Sequence, residues 1–160
     1  MLWLLLLTFT NDAHAGKRKA CWVPGKLPYI GKTVLEYIPH AEALAAEQKR
    51  ASLEMRELAP IPANGIIKVQ VERDKIERAD PSIQIVVLLD ASGSELLRFE
   101  PEKQVPNTPE NVYKHWWSVF AAPVPAGELP IAVHVVDRVA AHKCLFKLES
   151  TGKVRLEKGG

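Results

Sequence analysis

The 160-residue sequence has little of several features that would narrow its function. It contains two cysteines, too few for a disulfide-rich scaffold or a four-cysteine zinc site. The net charge is only +2, so composition does not predict nucleic acid as a partner. The 47% hydrophobic and 25% charged fractions are ordinary for a globular protein and exclude disordered and multi-span membrane classes. What remains is a globular chain with one main domain.

Familiar catalytic and nucleotide-binding motifs are missing as well. Gly31-Lys32-Thr33 resembles the end of a phosphate-binding loop, but position 26, where that loop needs its first glycine, is Lys26. No G-x-S-x-G, H-E-x-x-H or G-x-G-x-x-G motif occurs. We therefore expect neither enzyme activity nor a cofactor.

Residues 1–15 have the pattern of a cleaved signal peptide. An apolar run from Leu2 to about Thr10 is followed by Ala13-His14-Ala15, which matches the small-residue rule for cleavage before Gly16. The run is too short to cross a bilayer, which takes about 20 residues. An uncleaved anchor and a buried N-terminal segment are the alternatives. The pattern predicts a periplasmic or secreted protein, without a transmembrane span after signal cleavage.

Cys21 and Cys144 are expected to form a disulfide, because an exported protein folds under oxidising conditions. Closing so long a loop would restrict the unfolded chain by up to about 5 kcal/mol. Two unpaired buried thiols are one alternative. The other is a reactive or metal-binding thiol at Cys144, with His142 two residues earlier.

Residues 16–62 are predicted to form an irregular segment followed by one helix. Prolines and glycines recur from Pro24 to Pro39, leaving room for one short strand around Thr33 to Ile38. After Pro39 the chain is rich in Ala, Glu, Lys, Arg and Leu until Pro60, so a helix is expected over about 39–59.

This helix has a narrow apolar stripe. Leu44, Ala51, Met55 and Leu58 are expected to share one face, with Glu47 on the polar side. A stripe of this width suits a helix that leans on the domain or one that pairs with another protein.

The hydrophobic period changes to two residues after Asn64-Gly65, and residues 63–160 are predicted to form a β-sandwich domain. Ile67, Val69 and Val71 share one strand face, whereas residues 83–90 are apolar on both faces, as in a central strand. The proline-rich stretch 101–109 is long enough for a Greek-key crossover. The pattern predicts a mainly β fold, an antiparallel immunoglobulin-like sandwich of about seven strands.

Two runs carry a resemblance at the level of architecture. The run PAGELPIAVHVVDRVAAHKCLFKLE, residues 125–149, resembles the final hairpin of bacterial extracytoplasmic immunoglobulin-like domains. The run VVLLDASGSELLRFE, residues 86–100, resembles their earlier strand–turn–strand unit. The resemblance implies a binding, spacer or accessory module and brings no catalytic residues. In this arrangement Cys21 is expected to lie outside the sandwich.

Adjacent Trp116 and Trp117 are the candidates for a binding surface, because consecutive residues of a strand point to opposite faces. With Tyr113 and Trp22, the outward ring would form a platform for a sugar ring or a partner side chain. The alternative is that one tryptophan fills the core while the N-terminal segment covers its neighbour.

A second hypothesis is a zinc or copper site assembled from strands by His115, His134, His142 and Asp137. The spacing does not require it, so scattered structural or surface histidines are expected instead. The sequence as a whole predicts an exported, non-enzymatic module that binds a protein or a cell-envelope component. The alternatives are a carbohydrate-binding module using Trp116 or Trp117, and a periplasmic metal-binding protein using His142 and His134.

Overall fold

A computed structural model describes residues 16–25, 29–110 and 115–159 as two packed antiparallel β-sheets with one α-helix. The predicted mainly β sandwich is confirmed, whereas the predicted signal peptide lies outside the described residues. The strands are β1 (Arg18–Pro24), β2 (Tyr29–Ile38), β3 (Ile66–Arg73), β4 (Gln84–Leu89), β5 (Glu95–Phe99), β6 (Trp116–Pro123), β7 (Ile131–Asp137), β8 (His142–Leu148) and β9 (Val154–Gly159). Helix α1 spans His40–Glu54.

The strands divide between a four-stranded and a five-stranded sheet. Sheet A has the order β1-β2-β3-β6, and sheet B has the order β5-β4-β7-β8-β9. The proline-rich stretch 101–109 takes the chain from β5 in sheet B to β6 in sheet A, as expected for a crossover. At one side of the sandwich the Val154 N–H donates to the Gly16 carbonyl at 2.7 Å, which brings the start of the described chain beside β9.

The core lies between the inner faces of the two sheets. Ile67, Val69 and Val71 on β3 are fully buried, as their alternation predicts. Phe146 on β8 and Leu88 on β4 complete the opposite side of this cluster. Burying each such side chain stabilises the fold by roughly 1.5–3 kcal/mol, so the facing sheets account for most of the packing energy.

Residues 16–38, predicted to be irregular apart from one short strand around Thr33 to Ile38, form the two strands β1 and β2, which gives nine strands in the described chain. Pro24 is the last residue of β1, where a missing ladder donor costs little. Gly31 lies inside β2 with φ of 146°, and a Cβ there would collide with the Glu72 carbonyl oxygen. The glycine therefore permits close strand pairing at this point instead of breaking the strand. Cys21, expected outside the sandwich, is a buried residue of β1.

Helix α1 ends at Glu54, five residues before the predicted end at about 59, because Met55 adopts a left-handed conformation with φ of 50°. Its buried residues are Ala43, Glu47 and Ala51, whereas Met55 is 93% exposed. The prediction was therefore wrong for Glu47, which it placed on the polar side. Within the described ranges, no helix is long and apolar enough to span a membrane.

Candidate binding groove on sheet A

The outer face of sheet A carries one residue from each of its four strands in a single row. Trp22 on β1 pairs with Lys32 on β2, Lys32 pairs with Glu72 on β3, and Glu72 pairs with Trp117 on β6. Neighbouring strands lie about 4.8 Å apart, so the backbones of the two tryptophans are separated by about 14 Å. The row therefore places an aromatic side chain at each end and opposite charges between them.

Contacts between these side chains hold the row in place. Lys32 Nζ lies 5.5 Å from the centroid of the Trp22 ring and 3.5 Å from Glu72 Oε2. Gln70 lies two residues before Glu72 on the same face of β3, and its Nε2 donates a 2.8 Å hydrogen bond to Glu72 Oε1. A cation over an indole face contributes about 0.5–1 kcal/mol at a partly exposed site. Lys32 and Glu72 are therefore both held in place by contacts within the row.

A groove of about 530 Å³ opens over this row, and we call it the tryptophan groove; its lining includes Trp22, Lys32, Gln70, Glu72, His115 and Trp117. Trp22 is 51% exposed, which leaves a large part of an indole available to a ligand. Aromatic walls with a polar floor are typical of binding sites that combine apolar contact with oriented hydrogen bonds.

The two adjacent tryptophans face opposite sides of sheet A, as predicted. Trp117 lies in the outward row, whereas Trp116 has the parity of the buried Ser118 and Phe120 and pairs with the buried Arg73. Trp116 is therefore not part of the tryptophan groove. Tyr113, the third predicted binding residue, lies outside the described residues.

Sequence reasoning missed Lys32, Glu72 and Gln70 as groove residues. The signal was present in β2, where the outward residues Lys32 and Glu36 alternate with the buried Thr33 and Leu35. The sequence predicts a short strand only from about Thr33, because prolines and glycines recur through this segment, and this prediction leaves Lys32 outside the strand. Pairing across four strands, which places Lys32 opposite Glu72, cannot be read from periodicity within one strand.

A buried ion pair supports the floor of the groove from the inside. The guanidinium of Arg73 donates to Asp137 Oδ2 at 2.9 and 3.1 Å, and also to the backbone carbonyls of Lys32 and Glu72 at 2.8 and 2.9 Å. Gln84 Nε2 donates to the same carboxylate at 3.0 Å. Burial opposes ionisation of Asp137, but the Ala140 N–H, the charge of Arg73 and the Gln84 amide together hold its pKa below the ordinary value.

The four residues considered for a metal site are not brought together. His115 lines the tryptophan groove on sheet A. His134 lies on the outer face of sheet B, in a separate groove of about 380 Å³, and burial together with the charge of Lys143 lowers its pKa. His142 and Asp137 are paired residues on the inner face of sheet B, and Asp137 is bound by Arg73. Burial and the charge of Arg73 lower the pKa of His142.

The predicted disulfide between Cys21 and Cys144 is confirmed. It joins β1 of sheet A to β8 of sheet B, with the two Cα atoms 5.9 Å apart. Cys21, Cys144 and His142 are all buried. The bond thus connects the two layers through the core.

Comparison with known proteins adds no relative to this description. No family model matches the chain, and neither a search of curated proteins nor a search of solved structures returns a match. The fold and the groove themselves define a β-sandwich with an aromatic groove on the outer face of its smaller sheet.

Proposed function

We propose that this protein is an exported, non-enzymatic module that binds a protein or a cell-envelope component through the tryptophan groove. The observation that carries the proposal is the row Trp22, Lys32, Glu72 and Trp117, which crosses all four strands of sheet A. Strand pairing, and not a flexible loop, sets the spacing of the two aromatic walls. A rigid site of this kind binds without a large ordering cost.

The size of the tryptophan side chains makes them suitable anchors. A fully covered tryptophan buries roughly 150–250 Å², and the exposed half of Trp22 corresponds to about 2–3 kcal/mol at about 25 cal/mol per Å². Tryptophans in pockets are also the residues whose truncation most often costs 2 kcal/mol or more at interfaces. Two such residues on one groove can therefore serve as anchors within a larger interface.

The non-enzymatic part of the proposal is supported by how the charged groups of the groove are used. Lys32 and Glu72 are ion-paired, and Glu72 also accepts a hydrogen bond from Gln70. The export part is supported by the apolar run and Ala13-His14-Ala15 at the N-terminus and by the disulfide, which is typical of oxidising compartments.

A photo-crosslinking experiment tests the proposal. A photoreactive amino acid at position 117 is expected to capture a defined partner in the cell envelope. The same amino acid at position 143, exposed on the outer face of sheet B, serves as the control. Equal capture of the same molecules from both positions would show that the groove is not the binding surface.

Affinity for the captured partner then gives the contribution of each wall. Trp22→Ala and Trp117→Ala are each expected to weaken binding about 30-fold, the equivalent of about 2 kcal/mol. Trp116→Phe, a smaller change that keeps an aromatic ring on the inner face, is the control and should leave the affinity unchanged. Unaltered affinity in both groove variants would contradict the proposal.

A carbohydrate-binding module is the second candidate, and the presence of two tryptophans on one groove favours it. Stacking of sugar rings on the indoles, with hydrogen bonds donated by Lys32 and Gln70 and accepted by Glu72, would suit an oligosaccharide. Titration with soluble β-1,4-linked N-acetylglucosamine oligomers should then change the tryptophan fluorescence of the wild type but not of Trp117→Ala. No fluorescence response, together with capture of a protein at position 117, would favour the first candidate.

A further inference from the structure

The disulfide lies in a cluster of side chains that are typical metal ligands. Among the residues the structure describes, Cys21, His142 and Cys144 form the group whose potential ligand atoms lie within 4.8 Å of one another, and all three are buried. His142 and Cys144 are two residues apart on β8, so both point into the core, where Cys21 meets them from sheet A.

One edge of this cluster already has the spacing of a metal site. His142 Nδ1 lies 3.8 Å from Cys144 Sγ. Sulfur and nitrogen ligands of a tetrahedral zinc ion lie about 3.5 Å apart, given Zn–S and Zn–N bonds of about 2.3 and 2.0 Å. Two thiolates of such a site lie about 3.8 Å apart, a separation that rotation about the Cα–Cβ bonds allows once the sulfurs are no longer bonded.

A glycine packs closely against the same atoms. Gly159 on β9 pairs with Cys144, and a Cβ at this position would lie 3.1 Å from Cys21 Sγ and 3.9 Å from His142 Nε2. A larger residue at position 159 would therefore crowd Cys21 Sγ and press against the His142 ring.

We propose that reduction of the Cys21–Cys144 bond converts this cluster into a binding site for a soft metal ion, Zn²⁺ or Cu⁺. Two thiolates and an imidazole are the donor set of open zinc sites, and thiolates also select Cu⁺. The site differs from the four-residue set considered in the sequence because it uses both sulfurs and only one histidine.

The chemistry has two steps. A dithiol reductant transfers two electrons and two protons to the sulfurs of Cys21 and Cys144, and the reductant is itself oxidised to a cyclic disulfide. Zn²⁺ then displaces the two thiol protons into solvent, forms two S–Zn bonds and accepts a nitrogen lone pair of His142, with a water as the fourth ligand.

Zinc binding by the oxidised and the reduced protein tests the proposal. A phosphine is used as the reductant because dithiols themselves bind zinc; the phosphine takes up the oxygen of a water molecule as it reduces the disulfide. Competition with a chromophoric chelator should show one Zn²⁺ per reduced chain and none for the oxidised chain. Replacement of Zn²⁺ by Co²⁺ should give a sulfur-to-cobalt charge-transfer band.

Three variants separate the site from general thiol binding. His142→Ala should weaken Zn²⁺ binding to the reduced chain at least about tenfold, an effect that loss of even an outer-shell partner can have. Gly159→Ala should also weaken it, while thiol counting shows that its disulfide still forms. His134→Ala, which removes a histidine on the opposite face of sheet B, should bind like the wild type.

The effect of reduction on folding is followed by near-ultraviolet circular dichroism. A reduced chain that is folded and binds zinc, or one that zinc restores to the folded state, supports the proposal. The proposal is overturned if the reduced wild type binds no zinc, if His142→Ala and His134→Ala bind it equally, or if zinc leaves an unfolded reduced chain unfolded.

Discussion

At Arg73 a full positive charge is enclosed between the sheets, with none of its surface exposed. Its partner Asp137 is itself nearly buried, and the guanidinium also donates to Thr33 Oγ1 at 3.0 Å. The gain from such a pair is offset by the cost of removing both charges from water. Loss of one partner is different, because the other charge then stays buried without compensation.

Asp137→Asn is therefore expected to lower the free energy of unfolding by about 3–5 kcal/mol, measured by urea denaturation at pH 7. The matched control is Glu95→Gln, which breaks the exposed ion pair with Arg98 and should cost less than about 1 kcal/mol. Similar losses in the two variants would show that Arg73 finds other compensation.

The buried His142 makes stability depend on pH. Its pKa is below the ordinary value of 6.5 because of burial and the nearby Arg73. His142 therefore binds a proton more tightly in the unfolded chain than in the folded one. The contribution of neutral His142 to the free energy of unfolding is complete above pH 6.5 and is lost as the pH falls through the pKa of the folded state. We expect the unfolding free energy of the oxidised protein to fall between pH 8 and pH 5.5. His142→Gln should have a smaller slope over this range, and an unchanged slope would contradict the assignment.

At the scale of elements, helix α1 and the segment after it form one unit joined by Glu47. This carboxylate, only 5% exposed on the helix, accepts hydrogen bonds from the Arg56 guanidinium and from the Ala59 N–H at 2.8 Å. The residues that follow the helix thus fold back along it. The interaction explains why α1 ends early and why a glutamate occupies the buried stripe.

Glu47→Gln should accelerate hydrogen exchange at the Ala59 amide without a comparable change at β3, because it weakens the hydrogen bonds between the helix and the following segment and leaves the core intact. The hydrogen bond of Arg56 lowers the pKa of Glu47 from 4.5 to about 2, helped by the Ala59 N–H. Protection of the Ala59 amide should therefore persist above pH 4.5 and disappear as the pH falls towards 2. Glu54→Gln is the control, because Glu54 contacts Arg56 but not Ala59; equal acceleration there would contradict this role.

Strands in which apolar and polar residues alternate were predictable from the sequence, whereas strand segments that contain proline or glycine were not. Ile67, Val69 and Val71 identify β3 because only one of its faces is buried. Strand β1 and the first residues of β2 were missed because Pro24 and Gly31 lie at a strand end and at a close strand approach, positions that only the tertiary structure reveals. Trp22 and Trp117 were predicted as binding residues, but their placement in one row required the pairing of four strands.

At the scale of the molecule, the disulfide between the two sheets closes a loop that contains most of the chain. Cys21 and Cys144 are separated by 123 residues, so the bond limits the unfolded chain far more than a short loop would.

Replacement of both cysteines by alanine should lower the free energy of unfolding by about 2–5 kcal/mol, measured by the shift of the denaturant midpoint. Reduced wild type with metal removed is the control and should unfold near the same midpoint. A double variant as stable as the oxidised wild type would show that native strain cancels the benefit.

The disulfide also has a consequence on the far side of β1. Cys21 directly precedes Trp22, and a slip of one residue in an edge strand exchanges its inner and outer faces. By anchoring β1 to the opposite layer, the bond keeps the indole of Trp22 turned outward beside Lys32. Under the proposed function, reduction of the disulfide in the dry interior would release β1 from the opposite layer and so disturb the Trp22 ring that a partner would contact.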